Sequence, residues 1–242
     1  SRISNHSIYT GSFAALEGCW MDVVAGIQRG DPLLGINVLV GSNELGVASV
    51  DGFTVQKGYA NAENSYSIVN EKYVYHYYGA GITISYSSPL LQNIHVKENK
   101  TIGNGGGIFL GTSNAKLDNI DVHHNEAVDG GGLDISYSST VPVLNNLKVR
   151  YNKSANSGGG IYILGASPKI NNALITHNFS QYYTSAISNE NFSNLLLTNS
   201  VVANNTIEFP YWGSTIRNND TRSSIKMINC VVVGNNGGVA LL

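Results

Sequence analysis

Apolar and polar residues alternate at period two along much of this chain, and between Leu91 and Lys169 the alternation is organised into one pattern written three times. Asn93-Ile94-His95-Val96 leads to Asn99 and then to Gly105-Gly106-Gly107-Ile108. Asn119-Ile120-Asp121-Val122 leads to Asn125 and Gly130-Gly131-Gly132-Leu133, and Asn146-Leu147-Lys148-Val149 leads to Asn152 and Gly158-Gly159-Gly160-Ile161. A period of about 26 residues is too short for a domain, and it marks a repeat whose units bury their apolar faces against one another. Period-two alternation without a helical stripe makes each repeat one turn of a β-solenoid. Ile94, Val96, Ile120, Val122, Leu147, Val149 and Ile175 are predicted to line one continuous core.

Two asparagine columns extend the register beyond the three clear copies. One runs through Asn93, Asn119, Asn146, Asn172, Asn199 and Asn229; the other runs six residues later, through Asn99, Asn125, Asn152, Asn178, Asn205 and Asn235. Asparagine favours turns, which explains 30 of them in 242 residues but not a constant offset. Stacked turns bring equivalent residues to the interstrand spacing of about 4.8 Å, where amides hydrogen-bond in a row. Both columns are therefore expected to be ladders that tie down buried turn backbone.

The N-terminal part follows a different rule. Leu16, Cys19, Trp20, Val23, Val24 and Ile27 fall on one face of an amphipathic helix over 14–27, closed by Gly30 and Asp31-Pro32. Such a helix would cover the exposed strand edges at the end of the solenoid. The division expected is a cap over 1–48, with this helix and the first strands, and repeats over 49–242; Leu242 falls inside a strand-like run, so either the repeats continue beyond it or another element covers that edge. About seven coils are predicted.

Charged residues are only 12% of the chain and the net charge is −2, so neither nucleic acid nor an anionic membrane is a favoured partner. No apolar run approaches the ~20 residues of a membrane span. Cys19 and Cys230 show neither metal-ligand nor redox spacing and read as buried apolar residues.

The Asp51-Gly52-Phe53-Thr54-Val55 opening, the Gly-Gly-Gly-Ile steps, the Gly165-Ala166-Ser167-Pro168 turn and the spaced asparagines together resemble the right-handed parallel β-helix repeats of bacterial secreted and outer-membrane proteins. That resemblance, to the pectate-lyase-like fold and the Gly-Gly-Ile repeats of polymorphic outer-membrane proteins, covers about residues 36–242. It implies an all-β, right-handed, single-stranded parallel β-helix on a bacterial surface or outside the cell. It carries little about activity, because such folds serve lyases, hydrolases and adhesins alike. The catalytic motifs of polygalacturonases and pectin methylesterases are not found.

Candidate chemistry lies in two places. On the outward face of the first strand of each repeat, His95, Asp121 and Lys148 stack beside Lys97, His123 and Arg150, an arrangement suited either to a lyase-type basic site or to ordinary cross-strand pairing. His123-His124 lacks a third metal ligand by sequence spacing, so no metal site is expected.

At another corner, insertions rich in aromatic residues enter at 59–78, 181–183 and 209–212. Tyr75, Tyr77, Tyr183, Tyr211 and Trp212 would form two walls, with Phe109, Asp134 and Tyr162 on a floor three coils wide, about 15 Å. Exposed rings with polar partners suit sugars. Glu126, Asp129 and Asp134 are the acidic residues near that floor. With Lys148 and Arg150 they are the weak catalytic candidates, for hydrolysis through paired carboxylates, for lyase chemistry, or as oxygen ligands for calcium. The expected function is binding of a polysaccharide or surface glycan. A lyase or glycoside hydrolase is the alternative, and a structural stalk within a larger surface protein is the third reading. No enzymatic activity is expected.

Overall fold

The computed structural model describes residues 12–14, 21–22, 39–42 and 49–240 except 64, 70, 139, 140 and 212. It is an all-β parallel solenoid of about six turns. Each turn contributes one strand to each of three sheets. The long sheet contains Leu90–Lys97, Lys116–His123, Val143–Arg150 and Lys169–Thr176. The short sheet contains Tyr59–Ala60, Lys100–Thr101, Glu126–Asp129, Lys153–Ser157, Phe179–Ser180 and Thr206–Ile207. The glycine sheet follows the Gly-rich step and contains Ile82–Ser85, Ile108–Gly111, Leu133–Ser136, Ile161–Leu164, Thr184–Glu190 and Ser214–Asn218. Among the described residues six turns carry all three strands, and a seventh, over 224–240, joins only the long and glycine sheets. The expected seven coils thus resolve into six complete turns and a partial one.

Four residues in left-handed backbone conformation turn the chain through one coil. In the second complete repeat they are Asn119, His124, Gly130 and Tyr137, with φ of 54°, 56°, 62° and 55°. Asn119 sits inside the long strand and shifts the phase of its alternation, so that Leu117 and Ile120, three apart, both face inward with Val122. Asparagine tolerates this conformation better than other non-glycine residues, which is the reason for the first asparagine column. That column is exposed and does not hold buried backbone, contrary to expectation. It still carries amide-to-amide bonds, Asn119 Nδ2 to Asn93 Oδ1 and Asn172 Nδ2 to Asn146 Oδ1, each 2.7 Å.

The second column behaves as expected. Asn125 Nδ2 donates to Asn152 Oδ1 (2.9 Å) and to the carbonyl of Val96 (2.9 Å), while its own Oδ1 accepts from the backbone N–H and Nδ2 of Asn99. The same unit repeats through Asn178 and Asn205 to Asn235, all but the last fully buried. Beside it runs a single apolar core from Val50 to Ile216 that includes every core position named from the sequence.

The Gly triplets are dictated by neighbouring backbone. Gly130 takes positive φ, and a Cβ on Gly131 would stand 2.5 Å from the carbonyl oxygen of Lys153 and 2.7 Å from that of Gly159. At Gly131 a side chain would collide with the backbone of the next coil.

The expected helix over 14–27 lies outside the described residues except for Ala14, Met21 and Asp22, which are in strands. Ser12–Ala14 pairs antiparallel with Ser49–Asp51, and Met21–Asp22 pairs antiparallel with Leu39–Ser42, which in turn pairs parallel with Ile82–Ser85, so two of the sheets end in an antiparallel strand at the N-terminal side. At the other end Val231, Val232 and Val233 are exposed along the last strand of the long sheet. Cys230 there is half-exposed, not buried, because no further coil covers it among the described residues; Cys19 lies outside the described residues.

Candidate functional site

The aromatic insertions enter where their register places them, between a short-sheet strand and a glycine-sheet strand. In the first turn the chain leaves Tyr59–Ala60, forms a hairpin of Tyr66–Val69 and Lys72–Tyr75, and returns to Ile82–Ser85. Its tyrosines pack on one another: Tyr66 lies edge-on to Tyr73 (4.8 Å between centroids), and Tyr77 contacts Tyr78 (4.4 Å). Tyr77 closes over Gly103, where a Cβ would stand 2.1 Å from the Tyr77 carbonyl oxygen, and that carbonyl accepts from the Thr101 hydroxyl (2.5 Å). Tyr78 then stacks flat on Phe109 (4.8 Å, 15°). This wall is therefore partly its own loop core. Tyr75 keeps an exposed face; Tyr77 is half-buried.

The second wall is more open. Tyr182 stacks on Phe209 (5.5 Å, 20°), the Arg217 guanidinium lies over the Tyr183 ring (5.5 Å), and all three rings are exposed. Tyr211 is 97% exposed at the tip of its loop. Trp212 lies outside the described residues.

Between the walls, parallel pairing aligns Thr83, Phe109, Asp134, Tyr162, Ser188 and Arg217 in one outward column. The floor expected to be open is not. Asp134 is 0% exposed and Tyr162 only 9%, with Phe109 half-covered by Tyr78. An outward strand position is solvent-facing only if nothing lies on it, and here the large rings of neighbouring coils close over the shorter carboxylate between them.

That enclosure gives the site its electrostatics. Burial pushes the Asp134 carboxyl up to about 7, opposed by the Ser136 hydroxyl, which donates to its Oδ1, and by the Asn104 amide, and reinforced by Asp129. The other oxygen, Oδ2, makes no hydrogen bond of good geometry. Burial also raises Asp129, to about 6, against donation from Asn156 Nδ2 (3.0 Å) and the Ser157 N–H (2.8 Å). The Tyr162 hydroxyl, raised by burial and by Glu190, Asp129 and Asp134, donates to Glu190 Oε2 at 3.4 Å. Chemically the strip offers two carboxyls that take up protons near neutrality and a phenol that stays protonated. Glu126 stands apart, half-exposed and paired with Lys100 at 2.9 Å. Sequence reasoning passes over Glu190, Tyr78 and Arg217. Counting three residues on from Ile187 places Glu190 beside Leu164, but the degenerate Ser185-Ala186-Ile187 step hides that register.

The remaining catalytic candidates lie on another sheet. Lys148 and Arg150 face outward from the long sheet and do not meet the carboxylates of the floor. Lys148 is exposed, and Arg150 forms a two-pronged pair with Asp121, Nε to Oδ1 at 3.1 Å and Nη2 to Oδ2 at 2.9 Å. Direct pairing of His95 with Asp121 between coils brings the His95 Nδ1 to 3.8 Å from Asp121 Oδ2, with His123 two residues farther along on the same face. One ligand atom each of His95, Asp121 and His123 lies within 4.8 Å of the other two, a grouping that leaves out His124. Just beyond, at the corner, His124, Tyr151 and His177 stack face to face at 5.2 and 4.9 Å.

No helix among the described residues is long and apolar enough to cross a membrane. Comparison with known protein families, with curated proteins and with solved structures finds no match to this chain.

Proposed function

We propose that this solenoid is a secreted or cell-surface protein that binds glycan chains on its aromatic flank, with the rings of the second wall as the principal contacts. The observation that carries this reading is that Tyr182, Tyr183, Phe209 and Tyr211 present exposed faces on one flank, beside the Arg217 guanidinium. A sugar ring pairs apolar C–H faces with hydroxyls, and exposed aromatics beside a fixed donor match both. The buried floor serves as a rigid base that fixes the spacing of the walls; it does not itself contact the ligand. Glycan-array screening of the purified chain, followed by titration of the best ligand into Tyr183→Ala and Tyr211→Ala, tests the proposal. Both variants should weaken binding while leaving the thermal midpoint nearly unchanged, as surface substitutions do. Unchanged affinity in both would defeat it.

A glycoside hydrolase is the second reading, favoured by the raised carboxyls of Asp129 and Asp134. Paired carboxyls of which one holds its proton near neutrality are what general acid catalysis requires. The full enclosure of Asp134 counts against substrate contact. Release of reducing sugar that Asp129→Asn abolishes would favour hydrolysis over binding alone.

A further inference from the structure

The long sheet presents a grid of outward side chains on a different face from the aromatic flank. One column runs Thr54, His95, Asp121, Lys148 and Leu174; the next runs Gln56, Lys97, His123, Arg150 and Thr176. Three adjacent points of that grid are His95, Asp121 and His123, and one ligand atom from each lies within 4.8 Å of the other two. We infer that these three side chains form a binding site for a divalent transition-metal ion of the zinc type.

The geometry follows from the fold. His95 and Asp121 are directly opposed on neighbouring coils, about 4.8 Å apart along the solenoid, and His123 is two residues from Asp121, about 7 Å along the strand. Side chains on a triangle of those edges converge on a point above the sheet, where zinc-to-ligand distances of about 2.0–2.2 Å need only small rotamer adjustments. The chosen atoms are held by further bonds. Arg150 grips both oxygens of Asp121 and fixes the plane of the carboxylate, whose remaining lone pairs stay available. His123 Nδ1 hydrogen-bonds the Nδ1 of His124 (2.8 Å), which leaves its Nε2 as the nitrogen available to a metal. Outer partners of this kind orient the ligands of protein metal sites.

The donor set selects the ion. Two imidazoles and one carboxylate suit zinc, nickel, cobalt or copper, whereas calcium and magnesium ask for six or more oxygens. Calcium, the ion the sequence suggests for the floor carboxylates, is therefore not the ion for this grid. Three protein ligands leave a fourth position open, and His95, at 60% side-chain exposure, keeps it accessible from solvent. Lys97, Lys148 and Arg150 occupy neighbouring points of the grid, and their positive charge favours water or an anionic oxygen as its occupant.

The test is calorimetric titration of zinc chloride into the purified chain. One equivalent should bind, and His95→Ala and His123→Ala should each weaken binding at least about tenfold, a loss of 1.4 kcal/mol or more. His177→Ala, on the corner stack, should bind as the parent does. Cobalt gives an independent readout: the parent should develop visible absorption of four- or five-coordinate cobalt, and His95→Ala should not. Because His95 is exposed, unfolding of that variant is not expected, and its circular dichroism establishes this. Failure of the parent to take up zinc, or uptake that survives the combined His95→Ala and His123→Ala change, would overturn the proposal.

Discussion

Replacing Asp134 by asparagine should stabilise this protein, and by an amount that depends on pH. The Asp134 carboxyl is fully enclosed between Phe109 and Tyr162, and burial lifts it from 3.8 to about 7. The folded state therefore holds a proton that the unfolded chain has already released between about pH 4 and pH 7. Stability is complete below the unfolded value, falls as pH rises through that window, and carries the full penalty above the folded value. A shift of about three units corresponds to about 4 kcal/mol at 1.36 kcal/mol per unit. Asparagine fills nearly the same volume, still accepts from the Ser136 hydroxyl, and has no charge to bury. Denaturant unfolding followed by circular dichroism should thus show parent and Asp134→Asn nearly equal at about pH 4, with the variant ahead by up to about 4 kcal/mol at about pH 8. A residual slope in the variant belongs to Asp129, raised to about 6 by its own burial. If the gap between the two proteins stays constant across that range, Asp134 is not a buried acid that ionises at a cost, and the account of the floor fails.

Three further outcomes follow from the ladder and from two of the glycine turns. Asn125→Leu removes the acceptor for the Asn99 N–H and the donor to the Val96 carbonyl inside the core, and should cost about 1–3 kcal/mol in chemical denaturation for each group left unpaired. A loss below about 0.5 kcal/mol would mean that water replaces the ladder. Gly131→Ala forces a methyl against the backbone of Lys153 and Gly159, atoms held by the interstrand bonds, and should destabilise by about 1–3 kcal/mol or prevent folding. Gly165→Ala meets nothing closer than 3.5 Å but demands positive φ, so it should cost only the backbone strain, about 1–2 kcal/mol.

The candidate sites are legible unevenly. Insertion points can be counted from the asparagine register, and the three entries at one corner are where that count puts them. Exposure cannot be counted. Alternation puts Phe109, Asp134 and Tyr162 on the outward side of the strand, which is where they are, yet two of the three are buried because ring sizes in adjacent coils decide what covers a short side chain. His95, Asp121 and His123 illustrate the reverse. Alternation along one strand puts Asp121 on the face of His123, and the parallel register adds His95 from the preceding coil, 28 residues before His123; that one ligand atom of each comes within 4.8 Å of the others is read only from the folded chain.

The repeat and the core are written in the chain itself. A period of about 26 residues with Asn at fixed offsets, and Gly triplets at the same corner of three successive turns, points to stacked coils, which satisfy the buried amides and leave no room for side chains where those triplets lie. Ile94, Ile120 and Leu147 are therefore identifiable as core from their letters and spacing alone. The role of the first asparagine column emerges only on folding, since a residue that reverses strand phase through positive φ and one that pairs buried amides look identical as letters. Which outward side chains meet solvent is likewise a property of the folded chain. Alternation specifies the direction of a side chain, whereas burial and acidity depend on the volume of residues a full turn away, and that information is spread over neighbours some 26 positions apart.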